Sequence, residues 1–144
     1  MKAENSGRRS LVRALILGVV LCGAVLPERA LAQDGAERAL QQIETAFSNG
    51  DSRVLADAAA DRVEIRLFGS STWFSRGQAV YVLEDFFRQY PPRKCAFKKS
   101  TQTDDSWFAP GEYWYETAGN PLRLYIVLRQ KGEQWELREI RVEE

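Results

Sequence analysis

The double proline Pro91-Pro92 separates two stretches of different period. Before it, in Ser75 to Tyr90, the apolar residues Ala79, Val82, Leu83, Phe86, Phe87 and Tyr90 recur at steps of three and four. That spacing lines one face of an α-helix. Ser75 can cap the first turn, and Gln78, three residues on, can reach back to the cap amide as in a capping box. Pro91 pushes Tyr90 out of the α region, and a proline has no N–H with which to extend the ladder, so the helix stops there. After the prolines the period becomes two: Cys95, Phe97 and Lys99; Tyr113 and Tyr115; and Leu122, Leu124, Ile126 and Leu128 each alternate with residues of other parity. Turns are expected at Ala118–Pro121 and Gln130–Glu133. Trp135 and Leu137 share one parity and Ile140 and Val142 the other, which predicts a β-bulge near Arg138-Glu139 and a bend in the sheet. The helix is therefore expected to fill the hollow of a curved sheet.

Upstream, Ala36, Leu40, Ile43 and Phe47 form another helical stripe, ended by Asn49-Gly50. Asp51 caps a shorter helix containing Val54, Leu55, Ala58 and Ala59. Val63, Ile65 and Leu67 alternate with Glu64 and Arg66 as a strand with one face inward, Gly69-Ser70-Ser71 reads as its turn, and Trp73-Phe74 lead to the central helix. No repeat or second domain is visible.

The first 32 residues read as a secretory signal peptide. Lys2, Arg8, Arg9 and Arg13 make a basic n-region, Ala14 to Leu26 is apolar, and Ala30-Leu31-Ala32 suits cleavage before Gln33. The apolar run is shorter than the roughly 20 residues a membrane-spanning helix needs, so no membrane span is expected after cleavage. The basic run Arg8-Arg9 is compatible with either general or twin-arginine export. Residues 33–144 form the expected domain, beginning with a loose lead at Gln33–Gly35, in a periplasmic or extracellular location. Across the whole chain 20 basic residues balance 20 acidic ones; the leader removes five and two of these, leaving a net charge of about −3 and no electrostatic case for nucleic acid. Of two cysteines, Cys22 falls in the leader, so Cys95 has no intramolecular partner and stability must come from the core.

The order helix, helix, strand, helix and then four strands, with the Asn49-Gly50-Asp51 break, resembles the nuclear transport factor 2-like superfamily, which includes ketosteroid isomerases. Gly69-Ser70, Gln78-Ala79, Phe86-Phe87, Tyr90 and Leu137-Arg138-Glu139-Ile140 look like a small secreted bacterial branch of it known only as a domain of unknown function. The resemblance implies an α+β fold: a cone-shaped curved antiparallel sheet of about five strands packed around three helices, two N-terminal and one central. It implies no activity, because function lives in sites grafted onto folds.

The chain has no histidine, which removes the commonest acid–base group near neutral pH, nucleophile–histidine dyads and most zinc sites. A carboxylate base in the cone remains open chemically, as in a carboxylate-dependent isomerase or lyase. The inward parity of the first strand is nevertheless aliphatic, with Glu64 and Arg66 on the opposite face. Glu84 and Asp85 flank the polar side of the central helix, Asp57 and Asp61 sit beside Arg53 and Arg62, and Asp104-Asp105 occupy a turn. Cys95 lies next to Lys94, which can lower a thiol pKa, yet a strand cysteine also serves as a small hydrophobe. No catalytic residue, metal ligand or cofactor is assigned.

The aromatic set Trp73, Phe74, Trp107, Phe108, Tyr113, Trp114 and Tyr115 reads either as the lining of an apolar pocket or as core filling plus an outer face. Tyr113 and Tyr115 face one side of their strand and Trp114 the other, so they cannot all line one cavity. Arg123, Tyr125 and Arg129 can extend an outer face suited to a subunit interface. The candidate ligand or interface residues are thus Trp73, Tyr113, Trp114, Tyr115 and Tyr125. The expected role is a non-enzymatic exported interaction or dimerisation module of the cell envelope, partnered by a second copy or an envelope protein. The alternative is a binder of a small apolar ligand in the cone.

Overall fold

The computed structural model describes residues 28–116 and 119–144, with side chains from residue 33 onward. The basic n-region and apolar run of the expected leader, and Ala118 of the expected Ala118–Pro121 turn, lie outside the described residues. Helix α1 spans Glu28–Asn49, so the expectation of a loose lead at Gln33–Gly35 is corrected. The weak helix former Gly35 stays helical because α1 lies against Trp135: a Cβ at Gly35 would stand 3.2 Å from Trp135 Cδ1. Ala36, Ile43, Ala46 and Phe47 form its buried face. Gly50, at φ +67°, closes it, and Asp51 caps α2 (Ser52–Ala58) by accepting from the Val54 N–H at 3.1 Å.

Strand β1 covers Ala59–Leu67 and β2 covers Ser70–Ser75, joined by Phe68-Gly69, both at positive φ. The expected turn thus holds at Gly69 but is displaced by one residue, to Phe68-Gly69, while Ser70, Ser71 and Trp73-Phe74 belong to a strand. SSTWFS carries too little apolar alternation to announce itself, and its ladder is supplied by β1. Helix α3 (Arg76–Gln89) has the expected capping box, with the Ser75 hydroxyl accepting from Gln78 N–H at 3.3 Å and Gln78 Oε1 accepting from Ser75 N–H at 3.0 Å. The remaining strands are β3 (Pro92–Phe97), β4 (Thr101–Gln102), β5 (Ser106–Tyr115), β6 (Leu122–Lys131) and β7 (Gln134–Glu143).

Seven described strands, rather than about five, make one sheet in the order β2-β1-β7-β6-β5-β3, with β4 also on β5. The sheet is mixed, because β1 and β7 run parallel while the other pairs are antiparallel. Alternation reveals a strand's faces but not its direction relative to a distant neighbour, so a wholly antiparallel expectation fails at this one seam. The predicted bulge is present: Val127 faces Glu139 and Leu128 faces Leu137, leaving Arg138 as the extra residue on β7.

The helices cover one face of the sheet. Phe47, Phe86, Phe87 and Tyr113 meet there with ring centroids 5.3–6.3 Å apart. Each such fully buried side chain contributes about 1.5–3 kcal/mol. The Tyr113 hydroxyl donates to the Tyr90 carbonyl at 2.5 Å, tying β5 to the end of α3. At the β3 edge, α1 replaces a neighbouring strand: Glu44 Oε2 accepts from Phe97 N–H at 2.8 Å and the Ser48 hydroxyl from Cys95 N–H at 3.0 Å. An edge that would otherwise template a foreign strand is covered.

Candidate functional site

Strand parity sorts the candidate aromatic residues into two sets. Tyr113 is fully buried in the core, and Tyr115 stands on the same side, edge-on to Tyr90 at 5.2 Å. Phe74 and Trp107 share that inner side. Trp73, Trp114, Tyr125 and Phe108 face away from the helices, so the five candidates do not converge on one pocket. Each outer candidate carries a cation: Arg138 lies over Trp73 at 5.7 Å, Lys94 over Trp114 at 5.3 Å and Arg141 over Tyr125 at 5.5 Å. Phe108 stacks on Tyr125 at 5.9 Å. Trp73 is 44% exposed and Phe108 38%.

Strand register arranges this outer face in rows. One row across the sheet reads Trp73, Glu64, Glu139, Val127, Phe108, and the next reads Ser71, Arg66, Arg141, Tyr125, Pro110. An acidic centre thus lies beside a basic centre, with Trp73 and Phe108 at the ends of the first row and Tyr125 within the second. Arg66 reaches Glu64 at 3.1 Å and Arg141 reaches Glu139 at 2.8 Å, each along its own strand. The Ser71 hydroxyl, first, and then the Arg66 guanidinium hold the Glu64 carboxyl below the usual carboxylate range. Hydrogen bonding to Glu139 raises Arg141. The two carboxylates are only 18% and 19% exposed, low for side chains on a face that no helix covers. Sequence reading placed Glu64 and Arg66 outward but not Glu139 and Arg141 beside them; their alternation with Ile140 and Val142 was the available signal.

The other candidate groups stay apart from one another. Asp85 pairs with Arg88 at 3.0 Å, and Asp61 pairs with Arg76 at 3.6 Å, not with the adjacent arginines. The Asp105 carboxylate accepts from the Ser106 hydroxyl in its turn. Burial, then the Glu44 charge, push the Cys95 thiol up to about 12, so Lys94 does not activate it. Among the described residues no three acidic or thiol groups gather as a metal would require. A groove of about 860 Å³ runs beside α1 and α2, lined among others by Arg38, Gln42, Asn49, Asp57, Gln134 and Trp135. Ala39, Ala46, Val54, Ala58 and Ala59 line it as well, so its surface mixes apolar with charged and amide groups.

A family model described as a domain of unknown function, DUF4783, matches residues 40–143. No protein of curated function matches the chain. Among solved structures, a DUF4783 family protein from Bacteroides ovatus is 22% identical, with TM-score 0.66 over 72% of this chain and 92% of that one. A second, from Bacteroides uniformis, is 20% identical at TM-score 0.66, covering 72% and 94%. A nuclear transport factor 2-like protein of unknown function from Silicibacter pomeroyi is 15% identical at TM-score 0.57, covering 79% and 98%. The α+β fold is nuclear transport factor 2-like, with three helices and a curved mixed sheet.

Proposed function

We propose, from the premise that the chain belongs to the DUF4783 family, that it is an exported, non-enzymatic interaction module of the cell envelope whose working surface is the outer face of its sheet. The family carries no assigned activity, so the reading rests on the site. The observation that carries it is the division of the aromatic residues. The inner rings pack on one another, while Trp73, Trp114 and Tyr125 sit outside, each under a cation and with no helix over them. Aromatic and arginine side chains on one exposed face are the residue types enriched in binding hot spots. The basic and apolar pattern of the first 32 residues supports export to the periplasm or beyond.

The alternative of an apolar ligand in the cone needs space among Phe47, Phe86, Phe87 and Tyr113, whose ring contacts count against it. A carboxylate-dependent isomerase needs an acid free to take a proton. Glu44, the acid that α1 turns towards β3, is instead engaged by the Phe97 amide. The test is site-specific photo-cross-linking in producing cells. A photoreactive residue at Trp73 or Tyr125 is expected to yield discrete adducts, and one at Arg53 on α2 none. Absence of adducts from both outer positions would remove the reading.

A further inference from the structure

We infer that the sheet carries, near the β6–β7 turn, a separate site that binds an oxyanion group, a phosphate or a carboxylate, through Arg129 and Arg138. The inference goes beyond the protein-binding reading and stands or falls apart from it. It starts at Arg138, where the ladders on both sides of β7 break at the same residue. On the β6 side no residue opposes it, since Val127 pairs with Glu139 and Leu128 with Leu137. On the β1 side it is opposed by Ala60, Asp61, Arg62 and Val63, which lie between the pairs Ala59–Leu137 and Glu64–Glu139. Bulges re-aim side chains and recur beside functional sites. These two coincide with a depression of about 250 Å³, lined among others by Asp61, Arg129, Gln130, Lys131, Glu136 and Arg138. Sites that enclose a whole small molecule run to roughly 300–1,000 Å³, so this one suits a single charged headgroup.

The charges in the depression do not balance. Asp61 pairs with Arg76 at 3.6 Å, and Glu136, although it faces Arg129 across the ladder, pairs with Lys131 at 3.7 Å. Each acid therefore already has a cation. Among the described residues, Arg129 and Arg138 have neither an ion pair nor a side-chain hydrogen bond; Arg138 lies over the Trp73 ring instead. Two guanidiniums that share one depression repel each other. An oxyanion between them removes that repulsion, and its oxygens match the donor forks of both. The Trp73 ring, 5.7 Å from the Arg138 guanidinium, then reports on whatever binds there.

The test is a two-dimensional NMR titration of the purified chain that follows its four indole N–H signals, with Trp73→Phe assigning the reporter. Sodium phosphate is added at neutral pH, with sodium chloride of matched ionic strength as the reference. Phosphate is expected to move the Trp73 signal saturably, with a half-point on the order of 1 mM, the affinity a half-open site of this kind supports. Chloride is expected to leave it in place. The Trp114 signal, whose ring lies under the single cation of Lys94, should not respond to either salt. Arg129→Gln keeps the Arg138–Trp73 contact and is expected to weaken phosphate at least tenfold, whereas Arg123→Gln, the same loss of charge at the other end of β6, is expected to change nothing. A Trp73 response that phosphate and chloride share, or one that survives Arg129→Gln, overturns the proposal. Vesicles identify the source of the group. Sedimentation with phosphatidylglycerol but not phosphatidylcholine vesicles, lost in Arg129→Gln, assigns a lipid headgroup; phosphate binding without it assigns a soluble ligand. Cross-linked adducts from Tyr125 beside a silent phosphate titration remove this site alone and leave the interaction face standing.

Discussion

At the scale of single residues, Gly111 and Cys95 show how little slack the inner face has. A Cβ on Gly111 would fall 2.7 Å from Phe97 Cδ1 and 2.9 Å from the Ala96 carbonyl oxygen. The ring can turn, but the carbonyl belongs to the β3 backbone, so Gly111→Ala must displace the edge strand. A loss of about 1–3 kcal/mol is expected, as for other overpacked cores, read from the urea midpoint. Cys95 tests the same packing electrostatically. Its thiol is raised from 9.0 to about 12, chiefly because burial disfavours the thiolate and then because of Glu44. Since the unfolded chain ionises first, the thiol's contribution to stability is intact below pH 9 and is lost as the pH rises towards 12. Iodoacetamide at pH 9 is therefore expected to leave Cys95 unmodified in the native protein and to alkylate it rapidly in urea. Rapid native labelling would show that the β3 edge is open.

Among the elements, α3 is the one most fully written in local chemistry. Both halves of its capping box are present, so Ser75→Ala is expected to cost about 0.5–2 kcal/mol in chemical denaturation, with Ser75→Thr restoring most of it. Caps, apolar stripes and strand parities are set by residues within a few positions of each other, which is why α3, β5, β6 and the Arg138 bulge were legible. β2 was not, because its ladder depends on β1 and its own residues are mostly serine and threonine. The parallel seam between β1 and β7 depends on how many times the chain reverses between Leu67 and Gln134, a quantity no local pattern encodes. The site divides along the same line. Parity alone set Tyr113 opposite Trp114 and put Tyr125 outside, but joining Glu64 to Glu139 and Arg66 to Arg141 required the seam. Glu44 and Ser48, four residues apart on α1, accept from amides that β3 supplies, a pairing that no local pattern encodes.

For the molecule as a whole, the charges on the outer face link stability to pH. Glu64 is held below the usual carboxylate range by Ser71 on β2 and Arg66 on its own strand, with Arg141 on β7 assisting and Glu139 beside it as a second acid. A lowered carboxylate pKa means that the stabilisation is complete above the unfolded-state value, near 4.5, and is lost as the pH falls through the folded-state value. The folded domain should therefore keep this contribution from neutral pH down to about 4.5 and lose it in stronger acid. Glu64→Gln removes the titrating group, so the urea midpoint of the variant is expected to fall less than that of the wild-type chain as the pH is lowered through and below 4.5. Midpoints that fall in parallel for the two chains would mean that Glu64 is not among the groups that carry the acid dependence.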